Sequence, residues 1–307
     1  MQKNIDVDKL SRVSDLVKRQ IKTGSFKATH PEELASHVSL EMLANRQHTQ
    51  RVKNSTELFR EYELEKWSID LQRIMKVQSI SSGNIHEIYI SENQNMLIRV
   101  FNQLYVSDLL SVRTFLIDSL EILLAELLAE SSALLDVGSG TGATLIPLIS
   151  QMDVKKLEIY ATDLSPSGLL GLSRIAKMLD FEIRTCVQDL AEGLKLNFDI
   201  PIDSLILTSF SLSCLPNIPY KFFEDIISLS PKYVVHVESM YENLDSEFEL
   251  DQYAKQYIEQ NDYNQNLMSQ LADALRMHND YEIKWQTPVF LGQNPLFPLS
   301  IVCWGKK

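Results

Sequence analysis

The spacing of hydrophobic positions changes along the 307 residues. In residues 1–76, apolar side chains recur at intervals of three and four, as on one face of a helix. A polar turn follows at 79–84. Two short extended segments, Ile85–Ser91 and Met96–Phe101, are predicted next, joined by a polar turn as a hairpin.

A leucine-rich helix is predicted from Val106 to Ala129, because its apolar residues form one broad face. Beyond it, short apolar runs alternate with helical segments, a pattern typical of parallel strands buried on both faces. Five runs are predicted as such strands, and two near the C-terminus as an antiparallel edge pair: Ala133–Val137, Leu157–Thr162, Glu182–Val187, Ser204–Thr208 and Lys232–Glu238, then Tyr281–Thr287 and Ser300–Trp304. The predicted fold class is α/β, with a seven-stranded, mostly parallel sheet.

Three parts are predicted along the chain: a helical unit at 1–80, a bridging segment at 81–104, and a sheet domain at 105–307 with an insert at 239–280. The first 76 residues carry 14 basic and 11 acidic side chains, whereas the whole chain has a net charge of −12. Short amphipathic helices bury little apolar surface alone. We therefore expect the first unit to be a lid over a ligand site, a substrate-docking element or part of a dimer interface. A plain structural cap is the alternative.

The charge and composition of the chain limit which kinds of partner and which cell compartment we expect for it. A net charge of −12 disfavours general binding to phosphate backbones. The N-terminus has no apolar stretch typical of a secretory signal, and the most apolar run, Phe115–Ala129, carries three acids and is short for a membrane span. Three cysteines lie far apart in apolar runs, which indicates buried thiols in a reducing compartment. We expect a cytoplasmic protein with neither membrane nor nucleic-acid partners. The scattered histidines predict no metal site.

Three of the ten glycines fall within five residues, in the run Asp136-Val137-Gly138-Ser139-Gly140-Thr141-Gly142. The run follows a predicted strand and precedes an apolar helix. Glycine lets the backbone approach a ligand closely, and the helix start supplies free N–H groups. The spacing does not match a dinucleotide fingerprint, which requires a later third glycine, and no Gly-Lys-Ser/Thr of a phosphate loop follows.

This run resembles motif I of the class I S-adenosylmethionine-dependent methyltransferases, and the resemblance extends over about 130–240 and 281–304. It implies a Rossmann-like fold, S-adenosylmethionine as cofactor and methyl transfer to a small molecule. In that family, an acid after the second strand binds both ribose hydroxyls, which Asp163 matches, and an acid after the third meets the adenine amino group, which Asp189 matches. A basic residue from the preceding helix, here Arg113, reaches the methionine carboxylate. The implied cofactor residues are Asp136, Gly138, Ser139, Gly140, Gly142, Asp163, Leu164, Asp189, Leu190, Thr208 and Arg113.

Each of these residues has a simpler interpretation. Asp136 and Asp189 are also ordinary turn residues, Asp163 could cap the next helix, and Arg113 could lie on a solvated helix face. Ser165, just before Pro166, is the better candidate for that helix cap.

Candidate catalytic residues lie at the end of the fifth predicted strand. His236 and Glu238 alternate with valines and share one face, where a base could take the acceptor's proton. The alternatives are a buried, satisfied histidine and a strand-end salt bridge. Residues 238–282 also hold 11 acids and two bases, with interleaved tyrosines. Glu238, together with Glu242, could thus hold a cationic amine or guanidino acceptor. A solvated amphipathic helix pair explains the same charges.

Two other functions stay open. The chain could methylate a peptide or protein that docks on the N-terminal unit. It could also be a non-catalytic interaction protein that keeps the fold, although the intact glycine and aspartate set argues against this. Methylation of nucleic-acid bases is disfavoured by the charge and by the lack of a proline pair after the fourth strand.

Overall fold

Two β-sheets and the helices packed on them make up the described part of the chain. The computed structural model describes residues 7–29, 33, 35–38, 53–90, 92–152, 154 and 156–307. Within these residues, a seven-stranded sheet has the order β6-β5-β4-β7-β8-β11-β9 and a four-stranded sheet the order β1-β3-β2-β10. The strands are β1 Lys27–Ala28, β2 Asn95–Val100, β3 Gln103–Asp108, β4 Ala133–Val137, β5 Glu158–Asp163, β6 Ile183–Val187, β7 Leu205–Ser209, β8 Tyr233–Glu238, β9 Tyr281–Gln286, β10 Leu291–Gly292 and β11 Ser300–Lys306.

The larger sheet confirms the predicted α/β fold. Strands β4 to β8 pair in parallel, and β11 runs antiparallel between β8 and the edge strand β9. Every residue of the central strands β4 and β7 is buried, as expected where helices cover both faces of a sheet. The predicted strand ends differ from the observed ones by at most two residues.

Helices cover both faces of this sheet. The α-helices described are Val7–Thr23, Ser55–Phe59, Ser68–Ile74, Leu109–Ala129, Leu145–Gln151, Pro166–Met178, Tyr220–Ser228, Glu249–Gln260 and Leu267–Met277. The longest begins after Asp108, whose carboxylate accepts a hydrogen bond from the Ser111 N–H at 3.0 Å. No helix in the described ranges is long and apolar enough to cross a membrane.

The smaller sheet corrects the predicted hairpin. Strand β2 pairs with β3, so the partner of 95–100 comes after it in sequence. The predicted first strand is instead a 3₁₀-helix at Ser82–Tyr89, in which Ile85 and Ile88 recur at the three-residue period of that helix. Val106 belongs to β3, and the long helix begins three residues later than predicted. The apolar Val106 precedes Leu109 and Leu110 closely enough to mimic helical spacing.

Most of the described part of the predicted N-terminal helical unit is helical. Helix Val7–Thr23 buries Val13 and Leu16 in the same core as Phe115 of the long helix. Residues 27–28 are a short strand that pairs with β3, which the periodicity does not predict. Residues 1–6, 30–32, 34 and 39–52 of the predicted unit lie outside the described residues. The boundary at residue 80 stays a prediction.

A second helical stretch, residues 55–74, is called the strap below. Asn54 caps its start by accepting a hydrogen bond from the Glu57 N–H at 3.0 Å. Its middle, Arg60–Trp67, is a π-helix between two α-helical ends. Just beyond its end, the Arg174 guanidinium donates to the backbone carbonyl of Val77 at 3.1 Å. The strap thereby lies across helix Pro166–Met178, beside the carboxyl edge of the parallel strands.

Candidate functional site

The glycine loop between β4 and helix Leu145–Gln151 brings bare backbone to the edge of the sheet. Gly138, Gly140 and Gly142 all have positive φ angles, of 79°, 52° and 83°. A Cβ on Gly138 would lie 2.2 Å from Cβ of Ser211, and one on Gly142 would lie 2.9 Å from Cγ1 of Ile146. Both the conformation and the space therefore exclude larger residues at these positions.

Hydrogen bonds join the glycine loop to β5. The N–H groups of Gly138 and Ser139 both donate to the Thr162 carbonyl at 2.8 Å, and the Ser139 hydroxyl donates to it at 3.0 Å. This places the loop beside Asp163, the next residue of β5. The sequence alone could not give this contact, because it depends on the parallel pairing of β4 with β5.

Asp163 faces the loop with both carboxylate oxygens. One accepts a hydrogen bond from the Gly140 N–H at 2.7 Å and the other from the Ser165 N–H at 2.8 Å. A carboxylate oxygen has two lone pairs, so each can accept one more hydrogen bond. Burial raises the pKa of Asp163 to about 6, with a smaller contribution from the Glu63 charge. Ser165 caps the following helix, as predicted, by accepting from the Gly168 N–H at 3.0 Å.

Two adjoining pockets open on the loop. The first pocket contains five of the predicted cofactor residues, which lie at the end of β5 and in the segments that follow β4, β5 and β6. Its lining is Leu58, Tyr62, Trp67, Gly138, Asp163, Leu164, Gln188, Asp189, Leu190, Phe210, Ser211, Cys214 and Leu215. Asp189 also accepts a hydrogen bond from the Ala191 N–H at 3.0 Å, so it closes a turn as well as facing the pocket.

The second pocket lies on the other side of the loop. Its lining is Trp67, Arg113, Leu116, Ile117, Gly138, Ser139, Gly140, Ala143, Thr144, Ser209, Phe210 and Gln293. The Arg113 guanidinium donates to the Tyr89 carbonyl at 3.3 Å, and no ion pair joins it to a carboxylate in the described ranges. Burial lowers the pKa of Arg113. The helix therefore presents a cation to this pocket, and its side chain is not on a solvated face.

Three predicted residues lie beneath the pockets and line neither of them. Gly142 packs on Ile146 and turns the chain into the helix. Asp136 is 2% exposed, and burial together with the charges of Asp163 and Glu238 raises its pKa to about 8. Thr208 is fully buried, while its neighbour Ser209 lines the second pocket.

Glu238 does not have the setting of a general base. It is fully buried, and one oxygen accepts hydrogen bonds from Ser211 N–H at 3.1 Å and from Leu212 N–H at 3.2 Å. The other accepts from the N–H of Ser213 at 3.0 Å and from its hydroxyl. These donors occupy the carboxylate, which favours a structural role for Glu238, holding the turn after β7, over the predicted catalytic one.

His236 is also a structural residue. The Trp304 indole N–H donates to Nε2 at 3.0 Å, and Nδ1 lies 2.9 Å from the Thr208 hydroxyl. With Nε2 as acceptor, the neutral tautomer carries its proton on Nδ1 and donates it to Thr208. Burial lowers the pKa of His236 to about 3. Both ring nitrogens have partners, which favours the alternative, a buried and satisfied histidine, over the predicted catalytic role of His236.

Acidic side chains of the insert form hydrogen bonds and ion pairs within the insert and with the elements that it contacts. Glu242 accepts from the Ser269 N–H at 3.0 Å, and Glu249 accepts from the Tyr253 hydroxyl at 3.0 Å. Asp251 forms a buried ion pair with Arg99 of β2. None of these three acids lines either pocket. The insert is the predicted pair of amphipathic helices, and its charge does not face the candidate site.

Several lining residues were not predicted from the sequence. Leu58, Tyr62 and Trp67 come from the strap, where their helical spacing indicates only an apolar face. Phe210 follows β7 with a φ of 57°, in the left-handed region that side chains rarely adopt. Gln293 reaches the second pocket from the end of β10. Among the described residues, no group of three or more His, Cys, Asp or Glu side chains is placed to hold a metal ion.

Comparison with known proteins gives a match at the level of fold. No protein-family model and no curated protein matches the chain by sequence. Among solved structures, it is similar to magnesium protoporphyrin IX methyltransferase from Synechocystis PCC 6803 with bound S-adenosylhomocysteine, at 13% identity and a TM-score of 0.52, over 83% of this chain and 100% of that one.

Two further matches have TM-scores below 0.5. A SAM-dependent methyltransferase from Aquifex aeolicus is 17% identical with a TM-score of 0.41, over 60% of this chain and 88% of that one. Geranyl diphosphate C-methyltransferase from Streptomyces coelicolor A3(2) is 12% identical with a TM-score of 0.44, over 64% and 84%. The first comparison confirms the Rossmann-like methyltransferase fold predicted from the sequence.

Proposed function

We propose that this protein is an S-adenosylmethionine-dependent methyltransferase that acts on a small molecule. The observation that carries the proposal is the contact between the Asp163 carboxylate and the Gly140 backbone, with a pocket on either side of the loop. The Asp163 carboxylate can accept hydrogen bonds from the two hydroxyls of a diol, and the glycine loop beside it carries no side chains. Both lie between two adjoining cavities at the carboxyl edge of a parallel sheet, where such sheets bind ligands.

The residues present fit this cofactor. Asp163 has lone pairs left for two ribose hydroxyls, and Leu164 and Leu190 provide apolar walls for a base, with Asp189 beside them. On the other side of the loop, Arg113 offers a guanidinium to the carboxylate of the amino-acid end. Gly138 and Gly140 keep the loop free of side chains where the pockets open on it.

When bound, S-adenosylmethionine supplies a methyl group that is already activated on a sulfonium. The protein therefore has to orient the reactants and exclude water. We assign orientation to Asp163 and Arg113, at opposite ends of the two pockets. Exclusion of water is assigned to the strap and to Phe210, which lines both pockets.

The second pocket supports a particular class of acceptor. Beyond the loop, its walls are Leu116, Ile117 and Phe210, with Gln293 and Arg113 as hydrogen-bond donors. No carboxylate is among the described residues that line it. The cationic amine or guanidino acceptor predicted from the sequence relied on Glu238, whose oxygens are occupied by the turn after β7. We therefore favour a largely apolar acceptor that is neutral or anionic.

Two measurements test the proposal. Calorimetry should detect S-adenosylhomocysteine (SAH) bound to the full chain. Extract incubated with the protein and methyl-labelled cofactor should yield a small molecule that gains the label. SAH binding with label on protein instead would favour the peptide or protein methyltransferase. No binding and no label would leave the non-catalytic interaction protein. A homodimer and a cytoplasmic location stay predictions.

A further inference from the structure

Trp67 of the strap packs directly on the glycine loop. A Cβ built on Gly140 would lie 2.8 Å from Trp67 Cζ2 and 3.0 Å from Cε2. A Cβ on Gly168, at the start of the next helix, would lie 3.2 Å from Cδ1 of the same indole. One indole thus covers both glycines. It fills the space that their lack of a side chain would otherwise leave for a ligand.

The indole also separates the two pockets. Trp67, Gly138 and Phe210 are the residues common to both linings. Asp163 and Arg113 line different pockets, so a ligand that spans from one to the other must cross where the two linings meet, at Trp67, Gly138 and Phe210. In the described conformation the indole stands at that crossing.

The strap is held at its middle by polar contacts with the start of helix Pro166–Met178 and with the turn after β7. Glu63 accepts hydrogen bonds from the Ser167 N–H at 3.1 Å and from its hydroxyl at 2.6 Å, and from the Ser165 hydroxyl. Tyr62 donates to Cys214 Sγ at 2.8 Å. Both residues, and Trp67, lie in the π-helix Arg60–Trp67, a rare form that is common at functional sites.

We propose that Trp67 is a built-in occupant of the cofactor groove, and that the cofactor binds only when the strap moves and withdraws this indole. The inference rests on the proposed function, since it takes S-adenosylmethionine as the ligand that competes. Binding then includes the cost of opening, and the apparent dissociation constant equals the intrinsic one divided by the fraction of open molecules.

Calorimetry with SAH tests this on the full chain. Trp67→Ala should bind SAH at least threefold more tightly than the wild type, because the competing indole is gone. Trp67→Phe, with a smaller ring, should fall between them. Leu64→Ala is the matched control: it lies in the same π-helix but is 59% exposed, so its affinity should equal that of the wild type.

Fluorescence gives a second readout that does not depend on activity. The chain has three tryptophans, of which Trp285 and Trp304 are 7% and 0% exposed. SAH should shift the emission of the wild type to longer wavelength as Trp67 leaves the loop, and Trp67→Phe should abolish the shift. Circular dichroism checks that each variant is folded.

The outcomes separate this inference from the proposed function. Tighter binding by Trp67→Ala, including binding only by that variant, supports the occupied groove. Weaker or unchanged binding by a folded Trp67→Ala overturns it and makes the indole a cofactor contact or a bystander, while the proposed cofactor stands. If neither the wild type nor any folded variant binds SAH, the proposed cofactor fails, and the inference fails with it.

Discussion

Replacing Asp136 with asparagine should make the stability of the protein less dependent on pH. Burial and two neighbouring carboxyl groups raise the pKa of Asp136 from an ordinary 3.8 to about 8. Between these values the folded chain holds a proton that the unfolded chain has released. The free energy of unfolding therefore falls as pH rises through this window. Asparagine has nearly the same shape and does not titrate.

The size of the effect follows from the pKa difference. Each pH unit within the window is worth at most about 1.4 kcal/mol for one proton. From pH 5 to pH 7.5, the stability of Asp136→Asn relative to the wild type should rise by up to about 3 kcal/mol. Urea unfolding without added cofactor measures this difference directly. The exposed Asp199→Asn is the matched control and should show no such trend.

The comparison between variants matters more than either curve alone, since other groups titrate in the same range. If the difference between Asp136→Asn and the wild type is constant from pH 5 to pH 7.5, Asp136 is ionised in the fold throughout. The reasoning from its burial would then be refuted.

Three further predictions concern the polar groups around the loop. The pKa of Asp163 is about 6, and ribose hydroxyls bind best to the ionised form, so SAH affinity should fall about tenfold from pH 7.5 to pH 5. A pH-independent affinity, equal to that of Asp163→Asn, would remove this role. Arg113→Gln should weaken SAH binding at least fivefold. The binding of methylthioadenosine, which lacks the amino-acid end, should be unaffected, and an equal loss of affinity for both ligands would contradict the carboxylate contact. Glu238→Gln should lower the free energy of unfolding by about 1–3 kcal/mol, because its amide cannot accept all the donors of the turn; a folded variant of normal stability but without methyl transfer would restore the catalytic role.

The sequence predicts the parts of the fold that follow from local patterns. The central strands of the larger sheet are continuous apolar runs, so Ala133–Val137 is predicted to the residue. The helix start at Leu109 is missed because strand β3 is an alternating run that leads into a leucine-rich helix. Strand β2 pairs with β3 across the two residues 101–102, and this hairpin is missed because the end of β3 is assigned to the helix. Its other partner, β10, is distant in sequence, and a local pattern does not contain that pairing.

The site divides in the same way. Gly138, Gly140 and Asp163 are predicted from spacing, and the structure brings the loop and Asp163 together because strand, loop and helix follow in that order. For His236 and Glu238, alternation gives the face of a strand but not the partners that cover it. Trp304 comes to His236 from the C-terminal strand, and Ser213 comes to Glu238 from a turn. Such contacts between residues that are distant in sequence are seen only in the three-dimensional structure.

The smaller sheet has a consequence for how such a protein can diversify. Strand β10 pairs with β2, and Gln293 follows it directly into the second pocket. Asp163 and the glycine loop belong to the larger sheet. Substitutions in the hairpin Asn95–Asp108 can therefore shift one wall of the second pocket without disturbing the residues around Asp163. Gln293 is thus carried by a different sheet from the glycine loop and Asp163, so ligand preference can change at this position of the second pocket while the residues around Asp163 stay constant.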